Sequence, residues 1–426
     1  LSGQETAPGR NWSFTRPRSG RRLDRIMADA LAAAGRWPWW LQVGAVYLGA
    51  RLISACIFMA AALHQGTNPW FPAKPDYWNF INIWDARWYG EIATNGYPSE
   101  LPLDDSGNVQ ENAWAFYALF PVLGRAVSGL TGLPPAASLT AIAMTAGLGA
   151  ALVTYRLFRH KASHVAALWG IVFFSTFPVA PVLQIPYAES LNLLLLASAL
   201  LLLVRRQYLW AMPVVLLMCL SRPTGVPFAA TAGLILCYHL WQHFRPAERR
   251  GGSSHSVAEL WSLAGLTVVS CLGALMWPGI AWLVTGDIRA YTKTETVWRG
   301  HDLVPFMPWF DTGTLLFGPV LGILAPFVFV AIFGLVMVTR PVRALGVELR
   351  LWCVCYMGYL LVFLHPQTST FRMLLPLFPL ALSAALVSRS GAYRTVVAIM
   401  FVLLQIVWIV WLWAWAQLPG GGDYPP

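Results

Sequence analysis

The sequence predicts an all-α polytopic integral membrane protein, and three observations carry that prediction. Hydrophobic residues fill 57% of the 426 positions and charged residues only 11%, against about 25% charged in an ordinary soluble domain. Mean hydropathy is +0.56. The apolar residues fall in runs long enough to cross about 30 Å of hydrocarbon, which takes roughly 20 helical residues. A chain this poor in charge cannot clothe a soluble surface, and its length is absorbed by about eleven or twelve spans rather than by separate soluble domains.

The elements follow in order. Positions 1–38 are polar and basic and read as a cytoplasmic arm with an interfacial helix at 23–34; no cleavable signal segment is expected ahead of the first apolar run. That run, 39–63, leads from inside to outside. The segment 64–133 follows as an outer-face loop, rich in Pro, Asn, Asp and aromatic residues up to 112, with short helices resting on the membrane. Its apolar part, 116–130, is short, contains Pro121 and reads as re-entrant or interfacial. Further spans are expected near 134–158, 164–186, 189–204, 207–221, 224–242, 257–285, 311–338, 351–365, 373–388 and 395–418, and 419–426 as a tail.

This order puts every basic cluster (16–25, 156–161, 205–206, 245–250, 340–350 and 389–394) on the inside. The net charge of +10 is therefore the positive-inside bias of cytoplasmic loops, not a nucleic-acid surface. The expected location is the plasma (inner) membrane, with a cytoplasmic N-terminus. All six cysteines lie in apolar runs, and no CxxC or His/Cys cluster suggests a disulfide framework or a metal site.

Four polar patches fall on the outer face. In 83–98, IWDARWYGEIATNGYP, a helix would put Ile81, Trp84, Trp88 and Ile92 on one stripe, as in an interfacial helix. Arg87 then meets Glu91 at i+4, and Asp85 has no cationic helical neighbour. An unpaired carboxylate among large rings near lipid points to function, as a general base. Glu189, in Tyr187-Ala188-Glu189-Ser190, either binds a polar ligand or caps the helix starting there. Arg222, in Ser221-Arg222-Pro223-Thr224-Gly225, either binds phosphate or snorkels to the interface. His365 and Arg372, in HPQTSTFR at 365–372, suit a phosphate-bearing ligand, or form a polar loop at a helix break. Arg51, midway along the first span, is the main feature of a transporter-like kind, or it pairs with an acid in the bundle. A base and several cations bordered by lipid fit transfer from a lipid phosphate to a hydroxyl acceptor.

These residues carry a resemblance. WDARWYGEIATNGYP at 84–98 resembles the first-loop motif of the PIG-V family, the GPI mannosyltransferase II relatives among GT-C glycosyltransferases. AFYALFPVLGR at 115–125, PYAESL at 186–191, SRPTG at 221–225 and STFRMLLPLFPL at 369–380 match in kind and order, so the likeness covers about 39–390. Tyr117 and Phe120 depart from that family's second motif. The Arg-rich, Ala-rich character is similar to actinobacterial members of the PimE type.

The resemblance implies a GT-C transmembrane domain over 39–418 and an inverting sugar transfer at the periplasmic face. Mannose is the expected sugar, moved from a polyprenyl-phosphate donor to a glycolipid or cell-wall glycan acceptor. It implies Asp85 as base and His365, Arg372 and Arg222 at the donor phosphate, with Arg87, Tyr89 and Glu189 as further binding residues of the same motifs. No cofactor or obligatory metal is expected; Asp104 and Asp105 form no DxD and make a turn with Gly107. The partners are the lipid donor, the acceptor and membrane lipids, with no nucleic acid. Arabinofuranose is the alternative sugar. A glycolipid transporter or a non-catalytic scaffold are the alternatives of other classes, in which Asp85 carries no transfer.

Overall fold

The computed structural model describes residues 35–244, 256–299 and 304–416. The expected interfacial helix at 23–34, most of the N-terminal arm and the tail lie outside them. Two units divide at Gln42/Val43. In the described part of the first, Gln42 Nε2 donates to Trp37 O at 2.8 Å.

The chain is an all-α, multi-pass membrane protein: among the described residues the one extended pairing is the isolated bridge Leu103–Val109. Its helices are α1 (Trp39–Ala62), α2 (Tyr77–Ile81), α3 (Asp85–Asn95), α4 (Leu119–Thr131), α5 (Pro135–Arg159), α6 (His164–Thr176), α7 (Glu189–Val204), α8 (Tyr208–Cys219) and α9 (Gly225–His243). They continue as α10 (Val257–Thr285), α11 (Ala290–Arg299), α12 (Met307–Met337), α13 (Arg340–Arg343), α14 (Gly346–Phe363), α15 (Thr370–Met373), α16 (Pro379–Val387) and α17 (Gly391–Val407). Among the described residues six are long and apolar enough to cross a membrane, or up to seven if the pair around Phe378, bent by 75°, is one span. Their outer faces carry large exposed side chains such as Leu52, Leu272 and Leu315, the surface a lipid solvent requires.

Local chemistry sets the ends. α5 starts with Pro135 in its first turn, where the missing N–H costs no hydrogen bond, and ends on Arg156 and Arg159, which suit the negative pole of the helix dipole. Ser163, Ser256 and Ser390 cap α6, α10 and α17 by accepting from the backbone N–H groups of Ala166, Glu259 and Tyr393. Small buried residues on α5, Ala143, Gly147 and Ala150, let neighbours approach closely. A Cβ on Gly147 would collide with the Tyr47 phenol and lie 3.3 Å from Leu183 O.

The structure departs from three expectations. The run 164–186 is not one span: α6 stops before Pro178, and a 3-10 turn, Ala180–Gln184, follows it. The run 311–338 has the length and composition of a span but is not one straight helix. Gly318, at φ 77°, turns the backbone inside α12, and Trp309 stacks on Phe329 at 5.6 Å, residues that a straight helix would hold roughly 30 Å apart. Among the described residues Arg51 pairs with no acid. It is buried and donates to the carbonyls of Ser175 (2.5 Å) and Ala180, capping the carbonyl end of α6.

The 64–133 segment does contain short helices, α2, α3 and α4, and Asp104 makes the expected turn with Gly107 and Asn108. The continuous helical stripe does not exist, because α2 ends at Ile81 and α3 begins at Asp85. Trp84 and Ile92 are instead buried, and the segment packs on α5 and α11 through Trp88, Phe116 and Trp298.

Candidate active site

Asp85 is the first residue of α3, where a carboxylate meets the positive pole of the helix. The residue before it, Trp84, has φ 59°, a left-handed conformation costly for a bulky side chain and common at functional sites. It is held there by its indole, which donates to Trp413 O at 2.9 Å, and by edge contact with Trp70 at 5.1 Å. The Asp85 N–H donates to Tyr187 Oη at 3.2 Å.

Three other chain segments deliver charge to the same place. Glu189 opens α7, Arg222 sits in the turn between α8 and α9, and Arg372 lies on α15. Arg372 pairs with Asp85 Oδ2 at 2.5 Å and with Glu189 Oε1 at 3.1 Å; Arg222 pairs with the same Glu189 oxygen. The Arg372 guanidinium also lies over the Tyr187 ring, 5.2 Å from its centre. Burial works against the charge on Arg222, but Glu189 outweighs it and holds the guanidinium pKa above its ordinary value. Asn192, one turn beyond Glu189, donates to Ser221 Oγ (2.9 Å) and Thr224 Oγ1 (3.0 Å) and so fixes the turn bearing Arg222.

The four charges sum to zero, which makes their burial tolerable. Hydrogen bonding is nevertheless incomplete: Arg222 Nε, Arg372 Nε and Glu189 Oε2 are buried without a protein partner. The cluster forms one wall of a cavity of about 450 Å³, within the range of small-molecule sites. Ala115, Phe116 and, on α11, Glu295 and Trp298 also line it. Tyr117, also in the lining, shares a hydrogen bond of 3.1 Å with Tyr291 on α11.

Of the residues singled out from the sequence, Asp85, Glu189, Arg222 and Arg372 converge, and His365 lines the same cavity. Tyr89 touches the cavity, but its ring is core, edge-on to Phe116 and Phe120 at 5.2 and 5.0 Å. Arg87 is exposed and outside the cavity. It forms no ion pair with Glu91, which accepts from Asn95 instead. Asp85 is not unpaired as its helical neighbours imply: its partner, Arg372, comes from the other end of the chain.

Sequence reasoning missed Tyr187, Asn192, Trp298 and Tyr356, whose hydroxyl donates to Met373 O at 2.7 Å and ties α14 to α15. Asn192 was findable, at i+3 from Glu189 on one helix face; nothing in the spacing marks Trp298. Among the described residues no group of three or more His, Cys, Asp or Glu side chains is placed to hold a metal ion.

The basic loops gather at the other helix ends. Arg205, just past α7, donates to His160 Nε2 beyond α5 at 3.0 Å. Arg206 pairs with Glu259 on α10 and Lys161 with Glu348 on α14, both at 3.2 Å. Glu189 and Arg205 thus stand at opposite ends of α7, roughly 24 Å apart.

No family model matches the chain, and no curated protein matches it in sequence. Among solved structures it is similar to archaeal oligosaccharyltransferase AglB from Archaeoglobus fulgidus in complex with an inhibitory peptide and a dolichol-phosphate. There the TM-score is 0.42 at 14% identity, over 85% of this chain and 55% of that one. The same organism's oligosaccharyltransferase in complex with Zn and sulfate gives a TM-score of 0.40 at 14% identity, over 86% and 53%. The chain spans about half the length of these proteins, and the likeness is one of helix arrangement alone.

Proposed function

We propose that this chain is a GT-C-type glycosyltransferase that moves a sugar, most simply mannose, from a polyprenyl-phosphate donor to a glycolipid or glycan hydroxyl. The observation that supports it best is the convergence of Asp85, Glu189, Arg222 and Arg372, from four separate segments, in the wall of one cavity. The basic loops lie at the opposite helix ends, so the positive-inside rule supports a site on the outer face.

In this reading the acceptor hydroxyl attacks the anomeric carbon of the donor. Asp85 takes the hydroxyl proton, the new C–O bond forms, and the bond from the anomeric carbon to the phosphate oxygen breaks. The leaving phosphate gains one negative charge as Asp85 loses one, so the cluster's total charge is unchanged. Arg372, Arg222 and His365 stabilise the phosphate as its charge grows. Glu189 serves by holding the two guanidiniums, since an anion is a poor ligand for a phosphate. Arg87 takes no part.

The test supplies the purified full-length protein in nanodiscs with labelled polyprenyl-phosphate mannose and a mixed glycolipid extract, and in parallel with polyprenyl-phosphate arabinose. A labelled glycolipid from the mannose donor is the expected result. Product from the arabinose donor alone would change the sugar and keep the chemistry. No product from either would overturn the glycosyltransferase reading in favour of transport or a scaffold.

A further inference from the structure

Arg372 stands between two carboxylates that hold it unequally. Glu189 is anchored twice, its Oε1 accepting from both Arg372 and Arg222. Among the described residues the one polar contact of the Asp85 carboxylate is Arg372, and its side chain is 13% exposed against 7% for Glu189. The Asp85 contact is the shorter, 2.5 Å against 3.1 Å, but Glu189 has a second anchor in Arg222, so Glu189 is the carboxylate that stays fixed when Arg372 changes partner. The atoms needed for a change of partner are already in place: Arg372 Nε is a buried donor without a partner, and Glu189 Oε2 a buried acceptor without one.

We propose that Arg372 is a shared cation, for which the donor phosphate and Asp85 compete. An arriving phosphate draws the guanidinium from Asp85 while Glu189 keeps it tethered, so Asp85 is released to take the acceptor proton only once the donor is seated. Arg372 is thereby a positioning residue for Asp85 as well as a phosphate ligand, Glu189 is its pivot, and the donor precedes the acceptor. This inference rests on the reading of the site given above.

A structural role for Asp85 predicts weaker donor binding when it is replaced, and plain charge repulsion predicts tighter binding whether or not Arg372 is present. Competition for Arg372 predicts tighter binding that disappears when Asp85→Asn is made in the Arg372→Gln background. The experiment measures binding of polyprenyl monophosphate to the purified full chain in nanodiscs, where no transfer takes place. Asp85→Asn and, independently, Asp85→Ser are expected to bind about tenfold more tightly than the parent. Asp85→Glu, which keeps the competing charge, is expected to bind like the parent, and Arg372→Gln about tenfold or more weakly. Equal or weaker binding by both neutral variants, or a gain that persists in the Arg372→Gln background, overturns the competition while leaving the donor reading intact. Failure of the parent itself to bind overturns the donor reading and this inference together.

Discussion

Glu189 satisfies two guanidiniums with a single oxygen, so its loss leaves two buried cations sharing one remaining carboxylate. Removing one partner of a buried pair typically costs about 3–5 kcal/mol. Glu189→Gln is therefore expected to lower thermal stability in detergent markedly, whereas Arg87→Ala, at an exposed site, is expected to stay within about 0.5 kcal/mol. A Glu189→Gln protein that melts like the parent would show that the pairs contribute nothing net. At this scale the sequence was half legible. Asp85, Arg222 and Arg372 stand out because each is a costly polar residue at the edge of an apolar run. Their pairing was hidden, since Arg372 lies 183 residues from Glu189 and helical spacing reports only near neighbours. For the same reason Asp85 looked unpaired.

Helix limits were legible wherever caps and hydropathy agreed. The expected runs 189–204 and 257–285 coincide with α7 and α10, and 134–158 differs from α5 by one residue at each end. The misses sit at Pro178, which ends α6, and at Gly318, which turns α12. Hydropathy alone is blind to both, because the run stays apolar through the break. Packing between elements adds a test at Gly147, where α5 meets Tyr47 of α1 and the carbonyl of Leu183. Gly147→Ala is expected to cost about 1–3 kcal/mol through overpacking. Tyr47→Phe in the same chain should recover part of that loss, because it removes the hydroxyl that the new methyl strikes. Equal melting temperatures for parent and Gly147→Ala would mean that the helices do not approach as described.

For the whole molecule, the number of crossings was the least legible property. Eleven spans were expected, while six or seven helices among the described residues have the length and composition to cross; the apolar helices α4, α6, α7 and α8 are too short for that. Polarity along the membrane normal rests on charge bias, which does not depend on where each helix ends, and labelling tests it. A cysteine placed at Asp105, in the loop on the Asp85 side, should be labelled by an impermeant maleimide added outside intact cells. One placed at Arg205, with the native exposed thiols of Cys56, Cys237 and Cys271 replaced in both, should be labelled only after the membrane is opened. The opposite pattern would put the cavity on the cytoplasmic side and remove the donor assignment.

Whether Asp85 is the base is decided by single-turnover sugar transfer from polyprenyl-phosphate mannose by the parent and by Asp85→Asn, side by side, with donor binding measured in both. The transfer rate is expected to fall by about 10²- to 10⁴-fold, the usual contribution of a general base, with donor binding strengthened. A variant that transfers sugar at the parental rate would contradict that role.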